Sequence, residues 1–178
     1  NLKDLINIKC IQHYFTKKSN ISENNTETDK KKSPPILYTD GASRGNPGPS
    51  SVGIAFFSQE PSTFHHKPEW TVSKFIGHAT NNVAEYQAVL LGFTECLQRR
   101  IKTVELRSDS QLLIRQLEGK YQVKSPALKH LFDDIQTLRS QFEKVILTHV
   151  RGHQGIYGNE IADQLANLAL DNKSEEKT

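Results

Sequence analysis

Methionine is absent from this 178-residue chain, tryptophan occurs once and cysteine twice. Cys10 and Cys96 are far apart and match no metal-ligand spacing. A reducing compartment is therefore the default expectation. No apolar run approaches the roughly 18 residues that a membrane span requires, so no membrane partner is expected. No secretory signal is visible either. These absences point to an intracellular site, nucleus or cytoplasm. The chain starts at Asn1 without Met, so we expect a fragment or processed form, and an organelle stays open because an upstream address or domain would have been lost. Charge of one sign is also scarce. The formal net charge is +3, spread as +3 over residues 1–35, +1 over 36–170 and −1 over 171–178. A near-neutral core attracts a polyanion only once cations join it.

Apolar residues make up 35% of the chain, and the shortfall is local. Residues 16–35 (TKKSNISENNTETDKKKSPP) hold almost none and read as a disordered linker, because this composition buries too little apolar surface to order itself. Residues 171–178 read as a disordered tail. Between them, residues 36–170 carry the pattern of a folded domain. Strands are expected at Ile36–Asp40, Ser51–Phe57, Glu69–Gly77, Thr103–Ser108 and Lys144–Val150. The spacing of Val83, Tyr86, Val89, Leu90, Phe93 and Leu97 predicts a helix over 82–98, with Cys96 on its apolar side. Further helices are expected at Ser110–Glu118, from Pro126 onward, and from the Gly152–Gly158 loop to about Leu170. Three strands in a meander, followed by strand-and-helix crossovers, imply an α/β fold. Its sheet would be mixed and five-stranded, a three-strand antiparallel meander plus parallel strands, flanked by helices.

Within this order four acids recur in marked settings. Asp40 and Asp109 end expected strands; Glu85 and Asp163 lie near the starts of expected helices. Four gathered carboxylates repel one another and are costly to desolvate unless cations hold them. A pair of divalent ions answers that problem and points to metal-dependent phosphoryl transfer.

The motifs around the acids are Thr39-Asp40-Gly41 followed by Gly45-Asn46-Pro47-Gly48-Pro49; Thr80-Asn81-Asn82 ahead of Glu85; Ser108-Asp109-Ser110-Gln111; and Gly152-His153 with Asn159-Glu160 ahead of Asp163. In this order they resemble the ribonuclease H family, type I, which cleaves RNA in RNA–DNA hybrids. The likeness covers about residues 36–170 and implies the ribonuclease H-like fold. It implies Asp40, Glu85, Asp109 and Asp163 as ligands of two Mg²⁺, with Mn²⁺ as a substitute. It also implies an endoribonuclease that leaves 5′-phosphate and 3′-hydroxyl ends. His153 matches the family histidine that assists proton transfer or product release.

Substrate contacts are expected from the loop Gly41, Ala42, Ser43 and Asn46, where Gly41 and Gly45 allow close backbone approach. Asn46, Asn82 and Gln111 carry amides suited to sugar hydroxyls and base edges. Thr80 and Asn81 match the family's pocket for a DNA-strand phosphate. The basic, Trp-rich protrusion of some members is missing: Leu112–Leu128 holds only Arg115, Lys120 and Lys124 as cations, and no Trp. Hybrid affinity is expected to be modest and steeply salt dependent.

The first 15 residues form an apolar arm. Ile11, Tyr14 and Phe15, followed by Lys17 and Lys18, resemble the peptide by which replication and repair proteins bind a sliding clamp, with Ile8 where that motif usually carries Gln. Rival readings are an idle hybrid- or clamp-binding module, a resolvase- or integrase-like DNA nuclease, and a retroelement-derived ribonuclease H domain. The expected state is a monomer.

Overall fold

The computed structural model describes residues 33–61, 66–152 and 154–175. The apolar arm, nearly all of the expected linker and His153 fall outside those residues. The described chain runs β1 (Ile36–Ser43), β2 (Gly48–Phe57), β3 (Trp70–Ala79), α1 (Asn81–Gln98), β4 (Thr103–Ser108), α2 (Gln111–Leu117), α3 (Pro126–Arg139), β5 (Lys144–His149) and α4 (Tyr157–Glu175).

The five strands form one sheet in the order β3-β2-β1-β4-β5. β1 pairs antiparallel with β2, and β2 with β3, while β1–β4 and β4–β5 are parallel. This is the mixed α/β sheet that the strand and helix order implied. Helices cover both faces. Leu37, Ile54, Phe56, Val104 and Leu106 pack beneath α1, α2 and α3, against Tyr86, Val89, Phe93, Leu113, Ile114 and Ile135. Ile36, Tyr38, Ala55 and Phe57 face the other way, toward Ala162 and Ile161 of α4. Because β2 is covered on both sides, nearly all of it is buried and its sequence shows no apolar–polar alternation. Cys96 is a buried free thiol on α1, and burial pushes its pKa up to about 12.

Three boundaries depart from expectation by three or more residues. β1 runs on to Ser43, paired with β2 along its whole length, so Asp40 lies inside the strand and not at its end. β2 begins at Gly48, inside the stretch that reads as a Gly/Pro loop, because Gly48 and Pro49 sit opposite Ala79 and His78 of β3. α4 continues to Glu175, so residues 171–175 of the expected disordered tail are helical. Asp171 there pairs with Arg44 of the β1–β2 loop, and the Lys173 ammonium lies 6.0 Å from the Phe75 ring centre.

The approach of α4 to the sheet depends on Gly53. A Cβ there would lie 1.9 Å from the Ala162 carbonyl oxygen and 2.5 Å from the Ala166 nitrogen, so the helix backbone rides directly on β2. Ser51 and Ser73 hydroxyls donate to the Ala166 and Leu165 carbonyls at 2.5 and 2.7 Å, fixing the helix at that height. Gly53→Ala must lift α4, and we expect it to cost about 2–3 kcal/mol or more. Urea unfolding measures this directly; an unchanged midpoint and slope would contradict the packing described.

Candidate active site

Parallel pairing of β1 with β4 aligns Tyr38 with Arg107. Two residues further along each strand come Asp40 and Asp109. The alternation of a strand returns each to the side of its register partner, so both carboxyls emerge side by side. The register partner of Asp40 on β2 is Gly53, the residue on which α4 rests, and Asp163 follows Ala162 on that helix. Glu85 arrives from the opposite face through another close approach. A Cβ on Gly41 would stand 2.2 Å from the Glu85 nitrogen, so the first turns of α1 lie against the β1 backbone. Two glycine contacts thus set two acidic helices around Asp40 within β1 and Asp109 just past the end of β4.

The consequence is electrostatic. Burial first, then the charges of Asp109, Asp163 and Glu85, push the Asp40 carboxyl up to about 8, against a single restraining hydrogen bond from the Gly41 N–H at 2.9 Å. Burial also raises Glu85, with Asp109 adding to it and the Ser110 hydroxyl opposing it. Carboxyls in this state want a cation. Among the described residues, no three His, Cys, Asp or Glu side chains close into a metal cage by themselves. The donors the cluster does present are carboxylate oxygens, the type a hard divalent ion takes.

Neutral donors hold the acids in place. Glu85 is gripped at both oxygens: Asn81 Nδ2 donates to Oε1 at 3.0 Å, and the Ser110 hydroxyl donates to Oε2. The same Ser110 oxygen accepts from the Leu113 N–H as the N-cap of α2. Asn159, 3% exposed, donates from Nδ2 to Asp109 Oδ2 at 3.2 Å. Asn167 Nδ2 donates to Asp163 Oδ1 at 2.8 Å.

The expected substrate contacts divide into two groups. Asn82 and Gln111 are exposed at the starts of α1 and α2, and exposed Asn46 accepts from the Asn81 N–H at 3.1 Å, joining the β1–β2 loop to α1. Thr80 caps α1 through a 3.3 Å bond from the Val83 N–H. Gly41 is buried and Ala42 half-buried beside them. Ser43 is different, because its hydroxyl is committed to the Ala79 and Gly45 carbonyls and to Ser50, bracing the loop. His153 and the arm residues Ile11, Tyr14 and Phe15 lie outside the described residues.

Sequence reasoning gave no role to Ser110, Asn159, Asn167 or Gly53. Ser110 carried a helix-cap signal and Asn159 stood inside a recognised motif, but neither signal names a partner across the fold.

With metal chelated, Asp40 keeps its proton in the folded protein up to about pH 8, while the unfolded chain loses it near the ordinary 3.8. The folded state then binds more protons across that window, so stability falls as pH rises through it and levels off above about 8. We expect Asp40→Asn to melt above wild type in EDTA at pH 8–9, with the gap shrinking toward pH 4–5. Thermal melts across that range check it; a variant no more stable than wild type at pH 9 would contradict it.

Known proteins resemble this chain in sequence and fold. The ribonuclease H family model matches residues 32–171. A ribonuclease HI of Halobacterium salinarum is 38% identical over 134 residues, covering 75% of this chain and 63% of the relative. A bifunctional protein of Mycobacterium tuberculosis is 35% identical over 136 residues, where this chain spans 35% of the relative's length. Among solved structures, LC11-RNase H1 in complex with an RNA/DNA hybrid superposes with a TM-score of 0.70 at 34% identity, covering 79% of this chain and 99% of that one. With the family model matched over most of its length, the chain belongs to the ribonuclease H family.

Proposed function

We propose that this protein is an endoribonuclease that hydrolyses the RNA strand of RNA–DNA hybrids with two Mg²⁺, leaving 5′-phosphate and 3′-hydroxyl ends. The observation that carries this reading is the carboxyl cluster, where burial and neighbouring acids push Asp40 up to about 8. Family membership and the hybrid bound to LC11-RNase H1 support the substrate class.

Asp40, Glu85, Asp109 and Asp163 would hold the ions. When bound, such ions polarise the phosphoryl group, lower the pKa of water and stabilise the leaving oxygen. The protein's own task is to hold the carboxyls at fixed positions, where their raised proton affinity makes a cation the partner that releases the proton. Asn81 and Ser110 orient Glu85 from both sides, and Asn159 orients Asp109. The exposed amides of Asn46, Asn82 and Gln111 border the acids and suit the 2′-hydroxyls and base edges across a shallow minor groove. Asn81 joins the two regions, with its side-chain amide on Glu85 and its backbone N–H on the Asn46 amide oxygen. His153, which matches the family histidine, would take part in proton transfer to the leaving oxygen or in product release.

The arm supplies recruitment: Ile11, Tyr14 and Phe15 would plug into a sliding clamp, and the tether would hold the enzyme near its substrate. A clamp pull-down comparing wild type with Tyr14→Ala/Phe15→Ala tests this; equal retention removes the idea.

For the chemistry, labelled hybrid, duplex RNA and duplex DNA are incubated with Mg²⁺ and then with EDTA. The RNA of the hybrid alone should be cut, and only with metal. Asp40→Asn or Asp109→Asn should lower cleavage by at least about 10³-fold while hybrid affinity stays within about threefold. Cutting of duplex DNA at an equal rate would favour a resolvase-like enzyme, and binding without cleavage would favour an idle module.

A further inference from the structure

Across β1, β2, the loop between them and α1, Arg44 is the only Lys or Arg. These elements carry Asp40 and Glu85, so a single guanidinium stands on them beside the carboxyl cluster. Its backbone is fixed. The Arg44 N–H donates to the Pro49 carbonyl at 2.8 Å. A Cβ on Gly48 would stand 2.2 Å from the Arg44 carbonyl oxygen, so the turn is closed tightly. The Ser43 hydroxyl donates to the Ala79 carbonyl at 3.1 Å and accepts from Ser50 at 3.0 Å. From this braced stem the Arg44 side chain, 48% exposed, reaches Asp171 on α4, itself 56% exposed.

An exposed ion pair of this kind adds little to stability, because water screens it and two long side chains lose freedom. Its place matters more. α4 sets Ala162 over Gly53, the register partner of Asp40, and the Ser51 hydroxyl reaches the Ala166 carbonyl one turn later. The helix then continues to Asp171 at the level of the β1–β2 loop. Asp163 and Asp171 are eight residues apart, about 12 Å along the axis. Asn46, in the same loop, turns the other way and accepts from the Asn81 N–H of α1. The loop therefore offers an amide toward α1 and a guanidinium toward α4.

We propose that Arg44 binds a backbone phosphate of the RNA strand, and that Asp171 is the resting partner which this phosphate displaces. The inference rests on the nuclease reading above and adds a substrate-binding residue to it. A guanidinium gives a phosphate two parallel N–H donors, a stronger and more directional grip than neutral amides supply. The acids repel the polyanion that the site must hold, and a cation outside the cluster offsets part of that repulsion. The helix decides the strand. Asp163, at the cluster, and Asp171, at Arg44, share one face-to-sheet helix. A strand with its scissile phosphate at the acids that runs along α4 brings neighbouring phosphates to Arg44, and the strand under attack is RNA.

The test compares the whole chain as wild type, Arg44→Ala, Arg44→Lys, Asp171→Asn and Arg44→Ala/Asp171→Asn. Each is assayed in Mg²⁺ for hybrid cleavage and, across a salt series, for binding to a hybrid whose RNA strand is replaced by an uncleavable 2′-fluoro strand. Arg44→Ala should raise KM and Kd about tenfold, leave kcat within about twofold, and lower the slope of log affinity against log salt by about one. Arg44→Lys should keep the slope and recover part of the affinity, because charge returns without the paired donors. Asp171→Asn should tighten binding about two- to threefold, and the gain should vanish in the double variant, since it acts by freeing Arg44. Neutralising one phosphate of the 2′-fluoro strand as a methylphosphonate should weaken wild type at a position where Arg44→Ala is insensitive. An unchanged Kd and salt slope in Arg44→Ala overturn the proposal. So does an Asp171→Asn gain that is absent or that persists without Arg44, and so does a sensitive phosphate found only in the DNA strand. Wild type that neither binds nor cuts hybrid sinks the nuclease reading and this inference with it, whereas normal cleavage with an indifferent Arg44→Ala sinks this inference alone.

Discussion

The constraint behind this structure is the repulsion among four carboxyls forced into one partly dehydrated place. Isolated acids of this kind would sit on the surface with ordinary ionisation. Here Asp40 lies within reach of the fields of Asp109, Asp163 and Glu85 while burial strips its water, and its carboxyl is pushed up to about 8. The fold opposes that repulsion with backbone contact. α1 lies on Gly41, α4 lies on Gly53, and neither contact leaves room for a methyl group. Apolar packing on both faces of the sheet supplies the free energy that keeps the helices there.

Around the acids runs a ring of neutral donors. Ser110 and Asn81 hold Glu85, Asn159 holds Asp109, and Asn167 holds Asp163. Neutral donors orient a carboxylate without cancelling its charge, as a permanent lysine or arginine would. The strong cation nearby follows the same logic. Arg107, two residues before Asp109, is consumed by Glu60 at 2.6 Å and Glu105 at 2.9 Å, away from the cluster. The site is thereby left negative and ordered, which is the condition for capturing a hard divalent ion from water.

Much of this was legible in the sequence. Short apolar runs marked the strands, the helical spacing from Val83 to Leu97 marked α1, and the four acids stood out by their neighbours. The misses share one physical cause. Gly48 and Pro49 have loop propensities, yet pairing with β3 draws them into β2. Residues 171–175 are polar throughout, yet they extend α4, where Asp171 meets Arg44 and Lys173 lies near Phe75. Ser110 and Asn159 took their meaning from partners 25 and 50 residues away. Gly53 looks like any strand glycine until a helix is laid on it. Local pattern reveals which residues form an element; it does not reveal which element will press against them.

The central property of this cluster is the capture of divalent cations through Asp40. The direct measurement is Mn²⁺ binding to the purified chain, followed by electron paramagnetic resonance, with an uncleavable hybrid present. Wild type should bind two ions per chain, and Asp40→Asn should lose at least one. Equal Mn²⁺ binding by wild type and Asp40→Asn would contradict it.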